Sequence, residues 1–393
     1  MTCGGSAMKD HSKFEQQRQY YPVLGYKTFL NTAQNGLLPT YASLAMQEYI
    51  EHRHLNALDV IAMTAQWDDL DIVRAKVGRM LNSKSSEIMF GSSMSELMNI
   101  FTNGLDLKKG DNVVIYNNTY FSISYSWFNL RDRLGIEVRV AESDEGRTPC
   151  ERLFEFVDEN TRAISVCHVD FDSGYRHELS EIGAFCKERG IAFAVDGTQA
   201  CGAMKVDVKA MNIDFYAAST YKWLQGLLGL GFAFIDENFM PKLSQSVMGW
   251  VGTVDELHND PMVLELCDEA RKFECGGISF VALEGLSRVI DNYLRLGADD
   301  IEEYILDLAD YCYERAGRLK DCSVYGHAGR ENRSGIVTFT IPESYGITRE
   351  FLNSHQINAM ILDGTKVRLA MHYYNNKGDI DRFFDLLESM EGK

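Results

Sequence analysis

Proline is scarce in this sequence, with 6 residues among 393, and this scarcity argues against a proline-rich linker. A long hydrophobic run is also lacking. The most apolar stretch, Gly226–Ile235, is interrupted by glycines and is much shorter than the ~20 residues that span a bilayer. Residues 1–10 contain no apolar segment of the kind found in secretory signals. We therefore expect a chain that is neither inserted into a membrane nor secreted.

Positive charge is in short supply. Lysine and arginine total 39 whereas aspartate and glutamate total 57, which gives a formal net charge of −18. Such a protein is repelled by nucleic-acid phosphates and by anionic membrane surfaces, so we expect neither as a partner. A small phosphorylated cofactor remains compatible with this charge, provided that the site supplies its own hydrogen-bond donors.

Paired cysteine motifs are absent as well. The nine cysteines are odd in number and scattered, and no two of them form a C-x-x-C pair. This pattern argues against a disulfide framework or a zinc ribbon and is typical of free thiols in a reducing compartment. We therefore predict a cytoplasmic protein.

What the sequence does contain is an alternation of short apolar runs and longer amphipathic ones. Runs this apolar are typical of strands covered on both faces. Their alternation with helical patterns such as Leu179–Arg189 predicts an α/β fold with a mostly parallel sheet. The predicted strands are Asn112–Tyr116, Ile136–Val140, Ala163–Val169, Ile191–Val195, Ile213–Ala218 and Gly231–Ile235.

The C-terminal part has a different pattern, in which long helices come first and short strands follow. At ~100–200 residues per domain, the length also favours two domains. We predict an N-terminal arm over residues 1–30, a large domain over 31–270, and a smaller α+β domain over 271–393 that starts between residues 255 and 290. The predicted C-terminal elements are helices Phe280–Leu296 and Asp300–Leu319, strands Gly335–Ile341 and Lys366–Met371, and helix Asp379–Met390.

Two polar clusters follow predicted strands in the first pattern. Asp196 comes directly after the strand Ile191–Val195, and Lys222 follows the strand Ile213–Ala218. Open α/β sheets bind ligands at the carboxyl ends of their strands. A lysine there can form a Schiff base with an aldehyde, and a carboxylate can keep a pyridine nitrogen protonated so that the ring withdraws electrons. The two side chains together meet the chemical requirements of a pyridoxal 5'-phosphate (PLP) site.

Four segments, in the right order, resemble the class V aminotransferase family of fold-type I PLP enzymes, which includes cysteine desulfurases, isopenicillin N epimerase-like proteins and kynureninase relatives. The resemblance extends from Asn31 to Asn375. It implies a three-layer αβα large domain that binds the cofactor, a smaller C-terminal domain, and a homodimer with a shared active site. The segments are Phe29–Pro39, Ala194–Val208, Ala218–Leu224 and Val367–Asn375.

The resemblance assigns roles around the cofactor residue by residue. Lys222 aligns with the lysine that forms the Schiff base, Asp196 with the aspartate at the pyridinium nitrogen, and Gln199 with the glutamine at the phenolic oxygen. It implies that an aromatic ring stacks on the cofactor at Tyr120 or at its neighbour Phe121. The implied phosphate ligands are Ser93, Met94 through its N–H, Ser95, Ser219 and Tyr221.

Substrate contacts are implied in the same way. Arg368 aligns with the arginine that binds the substrate α-carboxylate, which its planar fork can hold with two hydrogen bonds. Asn31 is implied as a second substrate contact. Gly277 stands where relatives have a threonine that reaches the phosphate of the partner subunit, so that only a backbone donor remains there.

The chain also departs from the family pattern. Phe171 stands where relatives have an asparagine that contacts the cofactor, and the nearby His168 is either a catalyst or a structural histidine. Persulfide-forming desulfurases carry a cysteine on a loop shortly before the arginine, but this chain has no cysteine after Cys322. A persulfide-forming desulfurase is therefore disfavoured.

The resemblance implies a PLP enzyme that acts on a small α-amino acid. Lys222 would move the Cα proton in transamination, in β-elimination and in epimerisation alike, so the shared residues do not separate these reactions. We favour an aminotransferase, with a C–S β-lyase or an epimerase as alternatives. A non-catalytic sensor module of a transcription regulator is disfavoured, because the N-terminal arm is too short for a DNA-binding domain and the net charge is negative.

Overall fold

The computed structural model describes residues 11–56, 60–254, 260, 262–326 and 329–390, with the backbone alone for 60–68. The strands are β1 (Thr28–Phe29), β2 (Ile88–Gly91), β3 (Asn112–Tyr116), β4 (Glu137–Ala141), β5 (Thr161–Cys167), β6 (Ala192–Asp196), β7 (Phe215–Ser219), β8 (Gly231–Ile235), β9 (Ser323–Tyr325), β10 (Ile336–Thr340), β11 (Ile357–Asn358), β12 (Met360–Ile361) and β13 (Lys366–Ala370). The α-helices are α1 (Ser12–Gln17), α2 (Thr40–Leu55), α3 (Val60–Leu81), α4 (Met94–Gly104), α5 (Phe121–Leu134), α6 (Cys150–Phe154), α7 (Leu179–Arg189), α8 (Phe280–Leu296), α9 (Ala298–Ala316), α10 (Arg349–Ser354) and α11 (Lys377–Glu388). Short 3-10 turns cover Arg18–Tyr20, Pro22–Gly25, Ser85–Glu87, Met240–Lys242, Trp250–Gly252, Ala270–Phe273, Arg330–Asn332 and Glu343–Tyr345.

A seven-stranded sheet with the strand order β2-β8-β7-β6-β5-β3-β4 forms the centre of the protein. The strands from β7 to β4 are parallel, whereas β8 pairs with its neighbours β7 and β2 in the antiparallel sense. The prediction of an α/β fold with a mostly parallel sheet is confirmed. Two predicted strands, Asn112–Tyr116 and Gly231–Ile235, have the predicted bounds, and the other four are displaced by one or two residues.

Helices cover both faces of this sheet. Successive side chains of a strand point to opposite faces, and neighbours on β3 accordingly belong to different cores. Val113 packs in a core with Leu97 of α4 and Trp127 of α5. Val114 packs in a second core with Ile182 of α7. The result is the three-layer αβα arrangement, in which the carboxyl ends of the parallel strands open at one edge.

The C-terminal part forms a separate antiparallel sheet with the order β12-β13-β10-β9, accompanied by α8, α9 and α11. The predicted strands Gly335–Ile341 and Lys366–Met371 correspond to β10 and β13, and the predicted helix Phe280–Leu296 to α8. The short strands β11 and β12 carry no period that sequence reasoning detects, because two residues are too few to show alternation. Residues 255–259 and 261, within the predicted start of the small domain, lie outside the described residues.

The described part of the predicted N-terminal arm packs against the C-terminal helices. Phe14 stacks on Tyr304 of α9 with ring centroids 4.4 Å apart. The Arg18 guanidinium donates to the Asp379 carboxylate of α11 at 2.7 Å. The described part of the arm is therefore held against α9 and α11. Over the part of the chain that the structure describes, we find no helix with the length and apolar character needed to cross a bilayer.

Candidate active site at the carboxyl edge of the large sheet

The ends of β5, β6 and β7 lie side by side at one edge of the large sheet. Cys167 at the end of β5 is in register with Asp196 at the end of β6, and Asp196 is in register with Ala217 of β7. Lys222 lies on the turn that follows β7. Asp196 and Lys222 line one cavity, which encloses about 210 Å³. The lining residues are Ser93, Met94, Ser95, Tyr120, Ser122, Cys167, Val169, Phe171, Asp196, Thr198, Gln199, Ser219, Tyr221, Lys222 and Leu228.

Asp196 is a buried carboxylate that lines this cavity. One of its oxygens accepts a hydrogen bond from the Thr198 N–H at 2.9 Å. Burial raises the pKa of Asp196, and this effect outweighs the Thr198 hydrogen bonds and the charge of Lys222, which lower it. A desolvated carboxylate of this kind is stabilised by a cationic N–H donor, which a protonated pyridine ring supplies.

Lys222 is buried in the same cavity and lies between two aromatic rings. Its Nζ is 5.2 Å from the centroid of the Tyr120 ring and 5.7 Å from that of Tyr221. Burial lowers the pKa of Lys222 to about 8, with a further lowering by the charge of Arg368 and an opposing effect of Asp196. A much larger fraction of this amine is therefore neutral and nucleophilic near pH 7 than for a lysine in water.

This depressed pKa predicts the pH dependence of cofactor attachment. Only the neutral amine attacks an aldehyde, so we expect the rate constant for PLP binding to the apoprotein to rise with pH and to level off above about 8. Stopped-flow absorbance of the visible band measures this rate, with N-acetyl-lysine and free PLP as the solvent-exposed reference. A protein midpoint at the ordinary lysine pKa of 10.5 would contradict the burial of the amine.

Gln199 is held on both sides of its amide. Its Oε1 accepts the indole N–H of Trp223 at 2.9 Å, and its Nε2 donates to the Ala33 carbonyl at 3.0 Å. Because the indole nitrogen is only a donor, the Trp223 contact fixes which way the amide faces. The amide nitrogen carries two hydrogens, so one remains for an acceptor in the cavity, as the role at the phenolic oxygen requires.

The first turn of α4 borders the cavity. Ser93 caps this helix, and its Oγ accepts the N–H of Glu96 at 3.2 Å. The Met94 N–H donates to the Ser219 hydroxyl at 3.2 Å, which leaves the hydroxyl hydrogen of Ser219 for an anion. The Ser95 hydroxyl pairs with that of Ser122 at 3.1 Å. Hydroxyls at the positive end of a helix dipole are suited to a phosphate group. The Met94 N–H, implied as a phosphate donor, is hydrogen-bonded to Ser219 here, and its role at a phosphate remains a prediction.

The two aromatic candidates for stacking differ in position. Tyr120 lines the cavity and lies near the Lys222 amine, whereas the neighbouring Phe121 is 52% exposed and does not line the cavity. Tyr120 is therefore the ring that can meet a cofactor bound to Lys222. An aromatic ring stacked on a flat ligand restricts the tilt of that ligand.

Arg368 lies behind the cavity wall rather than in it. Its guanidinium donates to the carbonyl of Phe171, whose side chain does line the cavity. Its Nε is buried and has no partner among the described residues. Burial lowers the pKa of Arg368 to about 10, and Asp172 opposes this shift. The side chain therefore carries a buried donor without a partner in the described part of the chain, and its role at a substrate carboxylate remains a prediction.

Two further predicted contacts do not line the cavity. Asn31 pairs with Ala370 in a parallel bridge next to β13, and its amide donates to Gln34 at 2.7 Å. Its buried Oδ1 has no partner in the described part of the chain. Gly277 is exposed, with open space where a side chain would start. Their roles at a substrate and at a partner subunit's phosphate remain predictions.

Sequence reasoning missed Cys167 and Thr198, both of which line the cavity. Thr198 stands within the segment that drew attention to Asp196, and its hydroxyl accepts the Ser219 N–H at 3.2 Å, which joins the two strand ends. His168, by contrast, is buried edge-on against Tyr216 outside the cavity lining. Burial lowers its pKa, so this histidine is neutral and has the surroundings of a structural residue.

The groups around the cavity fit PLP by their chemistry. A lysine amine with a depressed pKa suits an aldehyde, and a buried carboxylate suits a pyridinium nitrogen. A free amide hydrogen on Gln199 and hydroxyls at the start of α4 suit a phenolic oxygen and a phosphate. These groups surround one space, so they can hold one ligand together.

Several known proteins resemble this chain over nearly its full length. A probable cysteine desulfurase of Methanothermobacter thermautotrophicus is 30% identical over 400 residues, which cover 96% of this chain and 98% of that protein. A probable cysteine desulfurase of Pyrococcus abyssi is 26% identical over 399 residues, covering 96% and 97% of the two chains. At this coverage the similarity includes both the large sheet and the C-terminal sheet.

Solved structures share the fold. The apo structure of a cysteine desulfurase from Thermococcus onnurineus has a TM-score of 0.86 at 25% identity, covering 96% of this chain and 97% of that one. A cystine C–S lyase in complex with its product cysteine persulfide has a TM-score of 0.86 at 20% identity, covering 93% and 98%. The family model described as Aminotransferase class-V matches residues 29–383. This chain therefore belongs to the class V aminotransferase family and is a PLP-dependent enzyme.

Proposed function

We propose that this enzyme cleaves the Cβ–S bond of a cysteine- or cystine-type amino acid. The observation that carries the proposal is the similarity to proteins named cysteine desulfurases, which extends over nearly the whole chain. The sequence alone favours transamination, which uses the same Lys222 and Asp196. The two reactions differ after the Cα proton has been removed, because transamination returns a proton to the cofactor carbon whereas elimination expels the group on Cβ. The names of the relatives support cleavage of a C–S bond, which is the bond that breaks in the alternative reaction of β-elimination.

The proposal gives a task to the polar groups in the cavity and to Arg368 behind its wall. PLP, when bound, supplies an aldehyde for the amino group and a ring that withdraws electrons from the substrate Cα. Lys222 removes the Cα proton, because its amine has the depressed pKa that a base near neutral pH needs. Asp196 keeps the ring nitrogen protonated, and Arg368 holds the substrate carboxylate. The roles of Gln199 and of the α4 hydroxyls are to fix the ring and the phosphate.

The reaction balances without an oxidant. The Cα–H bond and the Cβ–S bond break, and sulfur leaves with the bonding electron pair. Water then hydrolyses the three-carbon fragment to pyruvate and ammonia, while the sulfur leaves as a thiol, a sulfide or, from cystine, a persulfide of free cysteine. We propose a small-molecule sulfur product because no cysteine follows Cys322 in the sequence. The thiol that does line the cavity, Cys167, has its pKa raised by burial and therefore stays protonated and weakly nucleophilic.

An amino-acid panel tests the proposed reaction. The holoenzyme is incubated with cystine, cysteine or S-methylcysteine, and with alanine as the matched substrate that lacks a β-leaving group. We expect pyruvate and the sulfur product in equal amounts from the sulfur amino acids, nothing from alanine, and no pyridoxamine phosphate. Pyridoxamine phosphate with a keto acid would show transamination instead. Alanine as product, with sulfur bound to the protein, would show a persulfide-forming desulfurase.

We also propose that the enzyme is a cytoplasmic homodimer with a shared active site. Leu228 lines the cavity and is nevertheless 72% exposed, and the apolar rings of Phe121 and Tyr125 are exposed on the neighbouring α5. A second copy would cover these side chains and narrow the mouth of the cavity. Gly277, with open space around its Cα, is the position from which the resemblance implies a contact to the partner.

A further inference from the structure

Gln225 lies three residues after Lys222 and has an unusual backbone. Its φ is 54°, in the left-handed region that favours glycine, although it carries a long side chain. It is also almost completely buried, with 1% of its surface exposed. A non-glycine residue keeps such a conformation only where its surroundings hold it in place.

The side chain of Gln225 is held by residues from both ends of the chain. Its Oε1 accepts the hydroxyl hydrogen of Tyr21 at 2.5 Å, and its Nε2 donates to the hydroxyl of Tyr373 at 2.7 Å. Tyr21 belongs to the N-terminal arm, and Tyr373 follows β13. These contacts satisfy the amide in a buried site, where unpaired polar atoms would be costly.

A neighbouring contact holds the same turn. His372 donates from Nε2 to the Trp223 carbonyl at 2.8 Å, and its Nδ1 accepts the Tyr373 N–H at 2.7 Å. Burial lowers the pKa of His372 to about 3, so this pair of contacts persists as a neutral imidazole over the working pH range. Trp223, which directly follows Lys222, is therefore hydrogen-bonded to the segment after β13.

The turn itself is compact. We define the lysine turn as residues 220–226. The Gln225 N–H donates to the Lys222 carbonyl at 3.0 Å. The Gly226 N–H donates to the Thr220 carbonyl at 2.9 Å and closes the turn. Gly36 packs closely against the lysine turn. A Cβ atom at position 36 would lie 1.9 Å from the Lys222 carbonyl oxygen. A shift of Gln225 is therefore passed directly to Lys222.

We propose that Gln225 is a positioning residue that fixes the Lys222 amine in the cavity by tying the lysine turn to Tyr21 and Tyr373. Residues 372 and 373 directly follow β13, which carries Arg368. Their hydrogen bonds to the lysine turn therefore also fix the spacing between the Lys222 amine and the Arg368 guanidinium. The inference rests on the role of Lys222 in the proposed function, although not on which bond the enzyme breaks.

The test compares two glutamine-to-glycine variants. Gln356 is also left-handed, with φ 57°, but it is exposed. Both variants therefore remove a glutamine with a left-handed backbone. Only Gln225→Gly also removes the hydrogen bonds to Tyr21 and Tyr373. The pH midpoint of PLP condensation, read from absorbance without substrate, reports on the Lys222 amine. Neither variant changes the groups that face this amine, which are Asp196, Arg368, Cys167, Tyr120 and Tyr221.

We expect Gln356→Gly to leave the midpoint at about 8. In Gln225→Gly we expect a less rigid lysine turn that lets water reach the Lys222 amine. The pH midpoint of PLP condensation should then move up towards 10.5. We also expect kcat to fall by about 10- to 100-fold, with a smaller change in KM. A midpoint equal to that of Gln356→Gly would overturn the proposal, whatever happens to kcat. If Gln225→Gly does not fold, Tyr373→Phe, which keeps the ring and removes the accepting hydroxyl, carries the same test. Absence of any cofactor band in the unmodified protein would instead refute the role of Lys222.

Discussion

Replacing Lys222 by alanine is expected to abolish the visible absorbance of the bound cofactor and to lower turnover by about 10³- to 10⁴-fold. Among the described residues that line the cavity, Lys222 is the only lysine. In the proposed function Lys222 acts twice, first to bind the aldehyde and then to take the Cα proton. The absorbance of the purified protein after PLP reconstitution and the rate of pyruvate release measure the two roles separately.

The matched control is Lys205→Ala. Lys205 is exposed, pairs with Asp299 at 2.9 Å on the surface, and is not among the described residues that line the cavity. We expect this variant to retain both the absorbance and the turnover. Turnover retained in Lys222→Ala would contradict the role of the amine as the base, even if the absorbance were lost.

Asp196→Asn is expected to separate cofactor attachment from catalysis. The amide oxygen can still accept the Thr198 N–H that the carboxylate accepts at 2.9 Å, so the local structure is preserved. A neutral amide does not stabilise a protonated ring nitrogen, so we expect turnover to fall by about 10²- to 10³-fold while the visible band still forms. Because the charge of Asp196 raises the pKa of Lys222, its removal should also move the midpoint of PLP condensation below 8.

A buried aspartate outside the cavity provides the control for this variant. Asp214 accepts the Phe193 N–H at 2.9 Å and precedes β7, at the opposite edge of the sheet. Burial raises its pKa to about 6, so its environment resembles that of Asp196 in being desolvated. Asp214→Asn should leave turnover and the midpoint unchanged. Full turnover in Asp196→Asn would contradict the assignment of the ring nitrogen to this carboxylate.

Most of the large sheet could be predicted because β3, β6, β7 and β8 are buried along their whole length, whereas the four-residue β2 was missed. Such strands appear as unbroken apolar runs, and the run Asn112–Tyr116 marks β3 with its observed bounds. The placement of Asp196 and Lys222 in one cavity follows from the same pattern, since the ends of neighbouring parallel strands meet at one edge. The periodicity of α8 likewise sufficed to place Phe280–Leu296.

The remaining features depend on contacts between distant parts of the chain. Tyr21 and Gln225 are 204 positions apart, and no local pattern indicates that they touch. The hydrogen bond from Arg368 to the Phe171 carbonyl joins residues 197 positions apart, and it places the guanidinium behind the cavity wall. The choice between Tyr120 and Phe121 depends on how α5 begins, which adjacent aromatic residues do not reveal.

Identifying the cofactor-bearing residue by chemistry tests the central claim most directly. The reconstituted holoenzyme is reduced with borohydride, digested and mapped by mass spectrometry, with the unreduced protein as reference. We predict one reduced phosphopyridoxyl group per chain, on the peptide that contains Lys222. The same group on another lysine, or none on any peptide of a protein that had been incubated with PLP, would contradict this account of the site.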